Sequence, residues 1–170
     1  MKSLILLLIL ICCIVTLSVD AEARARQKSA KPKVGAAQKK TADTMPEYLP
    51  SATAAANAPL SEAVRVGNML YLSGQLGFLP GTRNLAPGGI AAETKQTMEN
   101  IRTVLEKHGS SFDRVVKCTV MLADIKEREA MSEIYITYFA KGRMPARSAF
   151  GTSGLAANGR VEIECMATVK

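Results

Sequence analysis

Near the end of the chain, apolar and mostly polar residues alternate, and this pattern constrains the fold more than any other feature. Its apolar members are Val161, Ile163, Cys165 and Ala167, and between them lie Glu162, Glu164 and Met166. Successive side chains of a strand point to opposite faces, so the pattern predicts a final strand over residues 160–169 with one apolar face. That face needs a covering layer, whereas the mixed face can meet solvent or another subunit.

The remaining patterns predict two helices and several further strands. A hairpin is expected over Glu62–Val66 and Met69–Gln75, with Gly67-Asn68 as its two-residue turn. Apolar residues at helical spacing predict one helix from Ile90 or Ala91 to His108 and another over residues 126–139. Strands are expected at Arg114–Leu122 and Ser148–Gly151. The order β-β-α-β-α-β-β predicts a single α+β domain with a mostly antiparallel mixed sheet and both helices on one face.

The first 23 residues have the pattern of a secretory signal peptide. Lys2 precedes a largely apolar run over residues 4–19, and Ala21-Glu22-Ala23 resembles a cleavage site. We therefore expect an exported protein, periplasmic or secreted. An uncleaved signal anchor and an organellar leader are the alternatives.

Basic residues are concentrated in the segment that follows. Residues 24–46 contain seven Lys or Arg and one Asp, whereas residues 47–170 contain fourteen basic and twelve acidic residues. We interpret residues 24–57 as a basic disordered linker and residues 58–170 as the folded domain. Because the domain is nearly balanced in charge, nucleic acid is not an expected partner.

Two cysteines lie within the predicted domain, Cys118 and Cys165, each on a predicted strand among apolar neighbours. Buried free thiols are the expectation for such positions. A disulfide is the alternative, because sequence does not show whether the two Cα atoms lie within bridging distance.

The sequence lacks the motifs of zinc, nucleotide and Ser-His chemistry. The chain has a single histidine, His108, which we expect to be a solvated residue at a helix end. Without a His/Cys set, a zinc site and the zinc-dependent deaminase class are excluded. We expect no metal and no cofactor.

The remaining candidates for chemistry lie on the last two strands and at the end of the hairpin. Arg147 follows Pro145-Ala146, which we expect to place it by a rigid turn, and its guanidinium can hold a carboxylate in two hydrogen bonds. Glu162 can position a water molecule and move protons. A structural ion pair between these two residues is the alternative. Ser73 and Gly74 permit close backbone approach, or mark a β-bulge.

The motifs together resemble the RidA (YjgF-type) family of reactive intermediate deaminases over about residues 58–170. The resemblance rests on their order and spacing: Leu72-Ser73-Gly74-Gln75, Gly88-Gly89-Ile90, Glu99-Asn100, Val116-Lys117-Cys118-Thr119-Val120, Tyr135 with Tyr138-Phe139, Pro145-Ala146-Arg147-Ser148 and Val161-Glu162-Ile163-Glu164.

This resemblance implies a chorismate-mutase-like fold and homotrimers whose sheets form a central barrel, with ligand sites in the clefts between subunits. It implies hydrolysis of 2-imino acids to 2-keto acids and ammonia without a cofactor. In that scheme Arg147 holds the substrate carboxylate, Glu162 positions water, and Ser73 and Gly74 line the pocket.

The chain departs from the pattern of the family's deaminating branch at three positions. Leu60 stands where a Tyr is usual, Ser132 where an Asn is usual, and Ala149 where a Cys is frequent. Leu60 and Ser132 are still expected to line the substrate pocket. The departures leave two alternatives to an enzyme of this class: a non-catalytic trimer that binds small carboxylates, and an endoribonuclease, as older family names imply.

Overall fold

The structure, a computed structural model, describes residues 45–51 and 59–170. The predicted signal peptide and most of the predicted linker lie outside these residues. The described part of the linker differs from the prediction, because Glu47–Leu49 forms a strand, β1, antiparallel to β2. Three residues are too few to show a period, and the strand forms because the edge of β2 offers backbone partners.

The predicted hairpin is confirmed. Strand β2 (Ala63–Val66) pairs with β3 (Met69–Leu72), and Gly67 in the turn has a φ of 59°. Strand β3 ends earlier than expected, and Gln75–Leu76 forms a separate short strand, β4. Both β3 and β4 pair with the last strand of the chain, at different positions along it.

The described strands form one mixed sheet, as predicted. Its central strand is β7 (Val161–Thr168), which is antiparallel to β5 (Val115–Leu122). Strand β6 (Ala146–Gly151) pairs with β5 in the parallel direction and ends the strand order β1-β2-β3-β7-β5-β6.

Two α-helices cover one face of this sheet. Helix α1 (Gly89–Lys107) agrees with the prediction, and Gly109 follows it with a φ of 77°. Helix α2 (Arg128–Tyr135) is shorter than predicted, because 3-10 turns precede it at Ile125–Glu127 and follow it at Ile136–Tyr138. In the described ranges, neither helix is long and apolar enough to cross a membrane.

The two faces of β7 divide as its alternation predicts. Val161, Ile163, Cys165 and Ala167 are buried in the core between the sheet and the helices. Glu162, Glu164 and Met166 are half-buried on the opposite face, which the helices leave uncovered. The two faces of the sheet therefore differ: the helix-covered face forms the hydrophobic core, and the uncovered face is available for contact with a ligand or another subunit.

A disulfide joins Cys118 to Cys165, so the expectation of free thiols is wrong. These cysteines are directly opposite each other on the antiparallel strands β5 and β7, and both are buried. Sequence reasoning could place each cysteine on a strand but could not determine the register that makes them neighbours.

We expect the double variant Cys118→Ala/Cys165→Ala to be about 2–4 kcal/mol less stable than the wild type, because the bridge restricts the unfolded chain. Urea unfolding with and without dithiothreitol measures this difference. Reductant should destabilise the wild type and leave the double variant unchanged. Cys12 and Cys13 contribute two thiols to the full-length chain, so four titratable thiols in the unfolded, unreduced wild type would contradict the bridge.

Candidate functional site

Arg147 lies within β6, which begins at Ala146, two residues earlier than the predicted strand, and its side chain leaves the sheet on the helix-covered face. Arg147 is paired with Cys118, a core residue, so the two side chains share this face. The guanidinium carbon is 4.9 Å from the centre of the Tyr135 ring. The ring of α2 thus supports the arginine from the core side by a cation–π contact.

The charge of Arg147 has no acidic partner among the described residues. Its terminal nitrogen Nη1 is buried and has no hydrogen-bond acceptor among these residues. The Tyr135 hydroxyl is also buried and has no hydrogen-bond partner among them. A half-buried guanidinium with one buried, unpaired nitrogen costs free energy, which an anionic ligand or a neighbouring subunit can recover. The structure therefore has an unneutralised cation at the edge strand of the sheet.

Tyr135 is a residue that sequence reasoning missed, because its place in an apolar helical stripe indicated a purely core role. Burial raises the pKa of Tyr135 to about 12, although the nearby Arg147 opposes the shift. The hydroxyl therefore keeps its proton at neutral pH. Ser132 is half-buried one turn earlier on the same side of α2. Arg147, Tyr135 and Ser132 form what we call the arginine half-site.

Glu162 lies on the opposite face of the sheet, next to the end of β3. A β carbon at Gly74 would overlap Oε1 of Glu162, so the carboxylate rests directly on the glycine backbone. The neighbouring Ser73 donates a hydrogen bond from its hydroxyl to the carbonyl oxygen of Ser61, at 2.7 Å. The contact between Gly74 and Glu162 explains the need for glycine at position 74, and it brings the preceding residue, Ser73, beside Glu162.

Leu60 is 61% exposed and lines the same open cleft as Ser61 and Ser73. Glu162, Gly74, Ser73 and Leu60 form what we call the glutamate half-site. The sequence prediction assigned all four to a pocket; the structure places Glu162 against Gly74, and Leu60 with Ser73 at the cleft.

Hydrogen bonds and ion pairs of Glu62 connect the glutamate half-site to the end of α1. The carbonyl oxygen of Glu62 accepts a hydrogen bond from the Ser73 amide, and its carboxylate contacts Lys107 at 2.6 Å and His108 at 3.0 Å. Burial alone would raise the pKa of Glu62, but the bonds from Lys107 and His108 outweigh it and lower the pKa. His108 is therefore largely buried against a carboxylate, and the expectation of a solvated histidine is wrong.

The electrostatic surroundings of Glu162 favour its protonated form. Partial burial raises the pKa of this carboxyl, and the like charge of Glu164 on the same face of β7 raises it further. A glutamate with a raised pKa is a stronger base than an ordinary one and retains a proton to higher pH.

Within one chain the two half-sites do not meet. Arg147 is level with Cys118 of β5, whereas Glu162 is level with Met121, so the two residues are separated by roughly 10 Å along the strands and about 10 Å across them. They also project from opposite faces. The alternative of a structural ion pair between Arg147 and Glu162 of the same chain is therefore wrong.

Among the described residues, no cluster of three or more His, Cys, Asp or Glu side chains could hold a metal ion. The groups available for chemistry in this part of the chain are the guanidinium, the phenol, the hydroxyls and the carboxylates of the two half-sites.

The sequence model of one protein family, described as Endoribonuclease L-PSP, matches residues 51–169. The chain is 44% identical over 113 residues to a mouse protein named 2-iminobutanoate/2-iminopropanoate deaminase. The aligned residues make up 66% of this chain and 83% of the mouse protein. The human protein of the same name is 43% identical over 109 residues, or 64% of this chain and 79% of its own length.

Two solved structures have the same fold at lower identity. RidA from the Antarctic bacterium Psychrobacter is 35% identical with a TM-score of 0.63, over 75% of this chain and 99% of that chain. Yeast Mmf1 is 31% identical with a TM-score of 0.64, over 76% of this chain and 98% of that chain.

We expect Glu164→Gln to lower the pKa of Glu162 towards 4.5, because the substitution removes a like charge from the same face. NMR titration of the glutamate side-chain carbons measures this pKa. A raised folded-state pKa contributes stability below the unfolded-state value, and this stability is lost as pH rises through the folded-state value. The variant should therefore lose less stability than the wild type as pH rises from 4.5 through the folded-state pKa of Glu162.

Glu106→Gln, at an exposed position of α1, is the matched control and should leave the Glu162 titration unchanged. An unchanged Glu162 pKa in Glu164→Gln would show that burial alone sets the value.

Proposed function

This chain belongs to the RidA (YjgF-type) family, and we propose that it is a cofactor-free deaminase that hydrolyses reactive 2-imino acids to 2-keto acids and ammonia. The names of the relatives support this activity. The observation that carries the proposal is the unneutralised Arg147, since a small carboxylic acid supplies the missing negative charge.

Complete sites require at least two copies of the chain, because Arg147 and Glu162 of one copy lie on opposite faces. In the proposed assembly, the arginine half-site of one subunit faces the glutamate half-site of its neighbour. A homotrimer with three such clefts, as the family resemblance implies, satisfies this condition. The half-buried face that contains Glu162, Glu164 and Met166 supports the proposal, because it is open for contact with another subunit.

The arginine half-site binds and orients the substrate in this proposal. The planar guanidinium forms two hydrogen bonds to the carboxylate, and the Tyr135 ring restricts its orientation. Because the guanidinium is held in one orientation, the C2 carbon of the bound imine has a defined position.

Glu162 acts as the base. It takes a proton from a water molecule as the water oxygen forms a bond to C2 of the imine. The nitrogen accepts this proton as the C=N double bond becomes single, which gives an amino alcohol at C2. Glu162 then transfers the hydroxyl proton to the amine nitrogen, the C–N bond breaks, and ammonia leaves as the C2 carbonyl forms. The raised pKa of Glu162 suits both the removal and the return of a proton.

Two other functions follow from the sequence analysis. A non-catalytic trimer would bind 2-keto acids without turning over imines, and the residues Leu60, Ser132 and Ala149 favour it. RNA cleavage is named in the description of the family model, but the small net charge of residues 47–170 gives it little support. Binding without ammonia release would identify the first alternative.

Arg147→Ala should lower kcat/KM for freshly generated 2-iminobutanoate by at least about a hundredfold, because a buried charged hydrogen-bond pair to the substrate is lost. Release of ammonia measures the rate. Arg83→Ala, in an exposed loop, is the control and should match the wild type. Equal rates in wild type and Arg147→Ala would contradict the assignment.

Mixed assemblies of Arg147→Ala and Glu162→Gln test whether the site lies between subunits. Each variant alone should be inactive. Unfolding and refolding the two together should restore about one active site in four, if copies mix at random and each site takes the two residues from different copies. Mass spectrometry shows whether the assemblies contain both variants. If mixed assemblies recover no deaminase activity, the proposal of a site shared between subunits is refuted.

We also propose that the protein is exported and that its leader is removed after Ala23. The buried disulfide supports an oxidising compartment, where such bonds persist. N-terminal sequencing of the protein from the native host's exported fraction should begin at Arg24. An intact Met1 on the exported protein would contradict cleavage.

A further inference from the structure

Helix α2 and the 3-10 turn before it lie beside β6 and run in the opposite direction. The Tyr135 ring contacts the Arg147 guanidinium near the start of β6. At the other end of the strand, a β carbon added to Gly151 would lie 3.2 Å from the β carbon of Ile125. The residues between these two contacts therefore lie alongside β6, over the face that residues 147, 149 and 151 share.

Arg128 lies in this stretch, at the start of α2. Residues three, four and seven apart on a helix share a side, so Arg128, Ser132 and Tyr135 form one stripe. The Cα atoms of Arg128 and Tyr135 are separated by roughly 10 Å along the helix axis. The next residue of β6 on the face of Arg147 is Ala149, whose methyl group is too short to separate the two arginine side chains.

The charge of Arg128 is exposed and is not neutralised within the described part of the chain. No ion pair or side-chain hydrogen bond among the described residues involves it. The preceding Glu127 is paired with Arg160, and the following Glu129 projects about 100° away around the helix. Arg147 also has no acidic partner among these residues, so two guanidinium groups lie beside the same space without a counter-charge. An anion with two carboxylates would supply a charge to each of them.

We propose that Arg128 is a specificity-determining residue, which binds the second carboxylate of a dicarboxylic 2-imino acid such as the one derived from aspartate. This inference rests on the proposed deaminase function and adds its substrate class. Arg147 holds the C1 carboxylate, and a single methylene group separates the imine carbon C2 from the C4 carboxylate that Arg128 binds. Both arginines belong to the same subunit, so this contact does not depend on which copy supplies Glu162. The hydrolysis at C2 is unchanged, because the second carboxylate takes no part in it.

The test compares the 2-imino acids that amino-acid oxidases generate from aspartate and from alanine, with catalase present to remove peroxide. Ammonia release above the spontaneous rate gives kcat/KM, which should be higher in the wild type for the aspartate-derived imine. Arg128→Ala should lower that value about tenfold, because charged hydrogen bonds to the C4 carboxylate are lost. The value for the alanine-derived imine should change by less than about twofold, which also shows that the variant is folded.

Two further variants separate the role of the Arg128 side chain from a general effect of charge. Arg128→Lys keeps the charge without the planar fork and should hydrolyse the aspartate-derived imine faster than Arg128→Ala does. Lys126→Ala is the matched control, since it removes the same charge at an exposed position of the 3-10 turn, and it should keep the wild-type ratio of the two kcat/KM values. A wild type without preference for the aspartate-derived imine, or an equal loss for both imines in Arg128→Ala, would overturn the inference.

Calorimetry separates failure of this inference from failure of the proposed function. If the wild type accelerates hydrolysis of neither imine, the deaminase proposal fails, and binding of the keto acids oxaloacetate and pyruvate then decides the role of Arg128. Tighter binding of oxaloacetate, lost in Arg128→Ala and kept in Lys126→Ala, supports the second carboxylate contact. Equal affinities for the two acids in the wild type, or a preference that survives in Arg128→Ala, overturn it.

Discussion

Strand β7 lies in the middle of the sheet, and the difference between its two faces organises the rest of the molecule. Its inner residues, Val161 to Ala167 at every second position, join both helices to the sheet in one core. The outer residues carry two carboxylates, which a buried core would not accept without partners. Because the side-chain period of a strand is two, a shift of one residue would place those carboxylates in the core, so the register of β7 is strongly specified.

The same division separates the chemistry into two halves. Arg147 belongs to the inner face because it is paired with Cys118, and Glu162 belongs to the outer face. Neither half is a complete site. Arg147 is held against Tyr135 without a counter-charge among the described residues, and Glu162 is held against Gly74 with a raised pKa. In the proposed function both groups are available to a ligand, because no charged partner among the described residues neutralises them.

Local patterns predicted much of this fold. The Gly67-Asn68 turn specified the hairpin, and apolar residues at helical spacing predicted α1 with its end near His108. The prediction was less accurate where long-range pairing overrides local preference. Strand β1 has only three residues and depends on the edge of β2, and helix α2 shortens where 3-10 turns adjust the chain at both of its ends. The Cys118–Cys165 bridge likewise depends on register between strands that are 47 residues apart.

By itself, the sequence determined the α+β class and the two faces of the last strand, because short-range periodicity carries that information. Residue type made Arg147, Glu162, Ser73 and Gly74 candidates, and the resemblance of the surrounding motifs to the RidA family assigned them to a site. Only the tertiary structure decided which groups are neighbours. It placed Tyr135 beside Arg147 and Gly74 beneath Glu162, and it put Arg147 and Glu162 on opposite faces of the sheet. These relations depend on strand register and on contacts between residues far apart in the chain, which no local pattern records.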